Sequence, residues 1–218
     1  MELKGKKINF LGDSITEGCG TSGPEYGFPW LLKQKLGLAE ARNYGIGGTR
    51  IAAQLECGGS GADRNYCDRA LELDEDADVV VVFGGTNDYG HGDAPLGAPE
   101  DRTVNTFWGG CHVMLERLTA RFPQAKIVIL TPLHRTNENN PCGDSSKPVP
   151  SGTLEEYVDI LRTVAKRFDV CVLDLFETSA VDTRVPGVVE KYIPDGLHPN
   201  DAGHRVLTEE IAEFLLKL

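Results

Sequence analysis

Ser14 ends the segment Ile8-Asn9-Phe10-Leu11-Gly12-Asp13-Ser14, a short apolar run followed by two turn residues. A hydroxyl there sits just outside the carboxyl end of a strand, where open α/β sheets place their chemistry. A serine used for acyl transfer needs a base for its proton, a group to orient that base, and donors for an oxyanion. Three distant segments carry such groups. His198 lies in Asp195-Gly196-Leu197-His198-Pro199. In a turn, the Asp195–His198 spacing lets the carboxylate reach Nδ1, fix the tautomer and leave Nε2 facing outward. Asn87 follows Gly84-Gly85-Thr86, so its amide can donate to a developing oxyanion. Gly48 closes Asn43-Tyr44-Gly45-Ile46-Gly47-Gly48, and a glycine there offers an unobstructed backbone N–H.

Each residue also has an ordinary use. Ser14 suits a helix N-cap. Asp195 with His198, and Asn87 with Asp88, suit turns. The four remaining histidines, His91, His112, His134 and His204, show no acidic partner nearby in sequence, and His204 reads as a surface residue of the last helix. The G-x-S-x-G elbow of α/β-hydrolases is absent around Ser14. The glycine-rich turns do not form the G-x-G-x-x-G of dinucleotide sites. No histidine or cysteine spacing points to a metal.

Taken together, the order Ser, Gly, Asn, Asp, His closely resembles the SGNH hydrolases, also called GDSL esterases and lipases. Gly12-Asp13-Ser14-Ile15 is similar to the first block, with Ile15 in place of leucine. Asn43 to Thr49, Gly85-Thr86-Asn87-Asp88 and Asp195 to Pro199 are similar to the others. The resemblance implies Ser14 as nucleophile, His198 as base and Asp195 as its orienter. It implies an oxyanion hole of the Ser14 and Gly48 N–H groups and the Asn87 side chain, leaves Asp13 a structural role, and implies a flavodoxin-like fold. The expected activity is hydrolysis of small-molecule carboxylic esters through an acyl-enzyme, with no metal and no cofactor. Thioesterase, lysophospholipase or transacylase activity, or ligand binding without catalysis, are the alternatives. A fluorophosphonate probe separates enzyme from binder.

The elements that must position these residues follow from periodicity. Asp78–Phe83 and Lys126–Leu130 are continuous apolar runs, as in a parallel sheet covered on both faces. Ile8–Leu11, Ala41–Tyr44 and Val170–Leu173 are weaker strands. Helical patterns cover Pro29–Leu36, Thr103–Phe122, the stretch behind the capping box Thr153-Leu154-Glu155-Glu156, and Asp201–Lys217. Behind the box, Leu154, Tyr157, Val158, Leu161, Val164 and Phe168 make one apolar stripe. Alternating strands and helices predict a three-layer α/β/α sandwich with a five-stranded parallel sheet, as one domain over residues 1–218. Tyr89–Asp101 and His134–Gly152 read as long loops, either substrate walls or plain surface. Their polar residues, Asn137, Asn139, Asn140 and Asp144 among them, suit a short acyl group, acetyl above all, on a small or carbohydrate-like alcohol.

With 218 residues, 40% of them hydrophobic, the chain is long enough for a full core. Its net charge of -11, with no basic cluster, argues against nucleic acid and against an anionic membrane surface. No apolar stretch is long enough to span a bilayer. The N-terminus shows no signal-peptide h-region, so a cytoplasmic protein is expected. The six cysteines form no C-x-x-C pair and read as free thiols, although a secreted chain could pair Cys57 with Cys67.

Overall fold

The computed structural model describes residues 2–147 and 149–218. Five parallel strands form one sheet in the order β2-β1-β3-β4-β5. They are β1 (Lys7–Gly12), β2 (Glu40–Gly45), β3 (Val79–Phe83), β4 (Lys126–Leu130) and β5 (Cys171–Leu173). This is the doubly wound, flavodoxin-like order, with its switch point between β1 and β3. The expected Asp78 start of β3 lies one residue early. The Asp78 carboxylate instead accepts hydrogen bonds from the Lys7 N–H and the Lys6 ammonium, both at 2.8 Å.

Side chains alternate across the strands and feed two cores. Val80, Val82, Ile127 and Ile129 face α5 (Phe107–Arg121) and α6 (Leu154–Arg167), meeting Met114, Leu118, Tyr157 and Leu161. Val79, Val81, Phe83, Val128 and Leu130 face α2 (Phe28–Leu36) and α9 (Asp201–Lys217), meeting Phe28, Leu32, Leu207 and Ile211. Burial on both sides explains the unbroken apolar runs in β3 and β4. β2 is an edge strand with no fully buried residue, which explains its weaker pattern.

The helix limits have local causes. α5 starts at Phe107 rather than Thr103 because Thr106 caps it, accepting from the Gly109 N–H at 3.1 Å. The Thr153–Glu156 capping box opens α6 as expected, and Phe168 at the end of its stripe is only half-buried. α2 stops at Gly37, whose φ of 63° is left-handed. All six cysteines are free, so Cys57 and Cys67 are not paired. Among the described residues no helix is long and apolar enough to cross a membrane.

The register positions the chemistry. Gly12 pairs with Gly45 on β2 and with Phe83 on β3. The three strands therefore end level, and the residues just beyond them share one edge of the sheet. Gly45 lets β2 end against α1 (Ser14–Glu17): a Cβ there would lie 2.1 Å from the Glu17 backbone nitrogen. Gly45→Ala is expected to cost about 1–3 kcal/mol, the usual penalty for overpacking against atoms that cannot move aside. Urea unfolding of both proteins checks this, and equal midpoints and slopes would contradict the close approach.

Candidate active site

Asp13 and not Ser14 caps α1. Its Oδ1 accepts from the Ile15 N–H at 3.0 Å. Ser14 is thereby released from the capping role its position suggested. Its Oγ lies 2.9 Å from His198 Nε2. His198 Nδ1 lies 2.7 Å from Asp195 Oδ2. A carboxylate only accepts, so Nδ1 carries the proton and Nε2 is left to accept from the serine hydroxyl.

The turn holding His198 is built around Asp195. Its Oδ1 accepts from the N–H groups of Leu197 at 2.9 Å and His198 at 2.6 Å. Partial burial pushes the Asp195 carboxyl up, but those bonds and the His198 ring outweigh it and hold the group below its ordinary value. Gly196 is left-handed at φ 78°, and a Cβ there would meet the Thr136 side chain at 2.4 Å. The Thr136 N–H donates to Gly196 O at 3.0 Å, so the loop after β4 buttresses the turn. Asn200 then caps α9, accepting from the Ala202 and Gly203 N–H groups at 3.0 and 3.1 Å.

The loop after β2 carries Gly48, left-handed at φ 76°. It packs on the serine turn: the Gly47 N–H donates to Glu17 Oε2 at 2.7 Å, and the Asn43 amide donates to Thr16 O at 2.8 Å. A Cβ on Gly47 would lie 3.7 Å from Ser14 Cβ. Asn87 lies in α4 (Thr86–Gly90), which starts just past β3, and is buried. Its Nδ2 donates to Thr49 O at 3.1 Å, tying it to the Gly48 turn. Ser14, Gly48, Asn87, Asp195 and His198 thus stand on connected turns and short helices at one edge of the sheet. The hydroxyl–imidazole–carboxylate line can remove the serine proton as the oxygen attacks.

Two supporting residues escaped the sequence reading. Asp88 accepts from the Ile51 and Ala52 N–H groups, both at 2.9 Å, and so binds the β2 loop to α4. It lies in a recognised motif, which was the available signal. Arg69 is buried and donates to Thr49 Oγ1 at 2.7 Å, to Gly12 O at 3.0 Å and to Tyr44 O. It joins the ends of β1 and β2 to the turn behind Gly48, and nothing around it in sequence marks it.

Two histidine expectations are corrected. His204 is fully buried: its Nδ1 accepts from the Phe28 N–H at 3.1 Å, and its ring stacks on Phe28. Its helix packs against α2, so the ring faces inward, and burial pushes its pKa down to about 4. His134 does have an acidic partner four residues on, with Nδ1 2.8 Å from a Glu138 oxygen. Among the described residues no cluster of His, Cys, Asp and Glu could hold a metal ion.

The two long loops meet beside α4. Lys147 donates to Asp88 O at 2.6 Å, to Tyr157 Oη at 2.8 Å and to Ser151 Oγ at 3.0 Å. Burial draws its amine down to about 8. A cavity of about 300 Å³ lies between the loops, with Ala94, Pro95, Leu96, Val149 and Pro150 in its wall. These loops thus carry apolar surface beside the polar residues singled out in the sequence. Their polar groups are partly spent internally, Asp144 on Arg135 and Asn140 on Ser145.

Over most of its length the chain is similar to known proteins. The model of the GDSL-like lipase/acylhydrolase family matches residues 10–206. A GDSL esterase/lipase of Arabidopsis thaliana is 25% identical over 96% of this chain and 86% of its own length. A crystal structure from Lactobacillus plantarum, 28% identical, superposes with a TM-score of 0.83 over 99% of this chain and 98% of its own. A carbohydrate acetylesterase family member from Sinorhizobium meliloti, 19% identical, shares the fold at a TM-score of 0.65, covering 96% and 97% of the two chains.

Burial pushes the Asp13 carboxyl up to about 6, against the Ile15 hydrogen bond. A carboxyl raised in the folded state favours folding while protonated, below its ordinary 3.8, and becomes a growing cost as pH rises through about 6. Asn keeps the acceptor for Ile15 and carries no charge. The stability of Asp13→Asn relative to wild type is therefore expected to increase between about pH 4 and pH 7. Urea unfolding of both proteins at the two pH values measures it, and a difference that stays constant or shrinks would contradict the cost of burying this charge.

Proposed function

The chain belongs to the GDSL-like lipase/acylhydrolase family and is a carboxylic ester hydrolase, and from that premise we propose that Ser14, His198 and Asp195 are its catalytic triad. The observation that carries the proposal is the unbroken line Ser14 Oγ–His198 Nε2 at 2.9 Å and His198 Nδ1–Asp195 Oδ2 at 2.7 Å. Ser14 Oγ attacks the ester carbonyl carbon while its proton passes to His198 Nε2. Asp195 holds the imidazole in place, stabilises the imidazolium and stays ionised. The Ser14 and Gly48 N–H groups and Asn87 Nδ2 receive the oxyanion. One such donor is worth roughly 10²–10³ in kcat. The intermediate collapses as the imidazolium gives its proton to the leaving alcohol, producing an acyl-enzyme. Water, deprotonated by His198, then attacks the acyl carbon and releases the acid and free Ser14.

The substrates proposed are short-acyl esters, acetyl above all, of a small or carbohydrate-like alcohol. Asn137 and Asn139 in the loop after β4 and the shared fold with a carbohydrate acetylesterase family member favour this.

Ser14→Ala is expected to remove ester hydrolysis while the fold stays intact by circular dichroism. Wild-type turnover in a folded variant would end the serine mechanism.

The value of kcat/KM for p-nitrophenyl esters is expected to fall from acetyl through octanoyl. A rise along the series would move the assignment to long acyl chains.

A further inference from the structure

His91 stands over the Asn87 amide. It ends α4 one helical turn after Asn87, with its own N–H donating to Asn87 O at 3.0 Å. Its Nε2 lies 3.2 Å from Asn87 Oδ1. The orientation of that amide is decided on its other side. Thr49 O can only accept, so the group facing it at 3.1 Å must be Nδ2. Oδ1 therefore faces His91, and since Oδ1 only accepts, Nε2 must carry a hydrogen. Among the described residues Oδ1 has no other partner.

We propose that His91 is a positioning residue for ester hydrolysis: its Nε2–H holds and polarises the Asn87 amide so that the second Nδ2 hydrogen points at the oxyanion. The inference rests on the oxyanion role proposed above for Asn87. One Nδ2 hydrogen is used on Thr49 O, and the other remains for substrate. A donor on Oδ1 draws electron density through the amide and strengthens donation from Nδ2, the cooperative effect of hydrogen-bond chains. It also stops the amide from rotating about its last torsion, which is broad for Asn. The arrangement works with a neutral imidazole. Burial, with the nearby Arg50 charge, lowers the His91 pKa from its ordinary value and favours that form. The backbone keeps the ring in place: Gly92 follows at once, its N–H donating to Asn87 O at 2.8 Å, and a Cβ there would lie 2.8 Å from Asp88 O.

His91 is placed to act through Asn87 and not on the substrate's ground state. His91→Phe, which keeps the ring's bulk and removes the donor, is expected to lower kcat roughly 10-fold with KM nearly unchanged. His91→Gln restores an N–H of similar reach and should recover most of the loss. In an Asn87→Ala background the Phe substitution should cost nothing more, because the amide it serves is gone. His91→Leu replaces His91→Phe if the phenyl ring prevents folding. Steady-state kinetics on p-nitrophenyl acetate across these variants decides the matter. If Asn87→Ala lowers kcat but His91→Phe leaves it intact, or the two losses multiply, the role of His91 is overturned and the oxyanion assignment stands. If Asn87→Ala itself leaves kcat unchanged, the oxyanion assignment fails first and the role of His91 falls with it.

Discussion

Gly12, Gly45 and Phe83 lie level across three adjacent parallel strands, and the chemistry of the molecule depends on that register. A parallel sheet brings all its carboxyl ends to one edge, and the strand order reverses between β1 and β3. In open α/β sheets that is the place where ligands bind. Ser14, Gly48 and Asn87 each lie within four residues of such a strand end. A slip of one residue in β1 would turn Phe10 out of one core and Leu11 out of the other, so the two cores fix the site's position.

Register sets the height of the loops, and buried polar bonds set their relative position. Arg69 spans the ends of β1 and β2, Asp88 holds the backbone after Gly48, and Thr49 O takes a hydrogen of the Asn87 amide. Burying such groups is costly unless each is paired, which makes the network sensitive to substitution and rigid when intact. Rigidity suits the oxyanion role proposed for these groups, because donors already in place would not reorganise as charge develops. The groups proposed to act on the proton are arranged differently. Asp195 and His198 stand on a more exposed turn behind α8 (Val188–Tyr192), and they are held by the Asp195 side chain's bonds to its own turn.

Much of this was legible in the sequence. The apolar runs of β3 and β4 declare strands buried on both faces, and the Thr153–Glu156 box declares the start of α6. The five residues proposed to carry the chemistry sit in short local motifs, which a single chain displays directly. Long-range partners were not legible. Arg69 bonds atoms at positions 12, 44 and 49, and no local pattern encodes such reach. His204 was misread because a histidine beside Gly203 looks like solvent-facing helix, whereas the packing of α9 on α2 turns it inward. The cavity wall was missed because Ala94, Pro95, Leu96, Val149 and Pro150 are scattered among polar neighbours. Only folding the two loops together makes one apolar surface of them.

The central claim is that Ser14, activated by His198, is the atom that attacks. The most direct measurement is to treat the protein with a fluorophosphonate and map the adduct by peptide mass spectrometry. The account predicts one phosphonyl group per chain, on Ser14, appearing in step with the loss of esterase activity. Modification of another residue in step with that loss, or esterase activity that survives full labelling of Ser14, would contradict it.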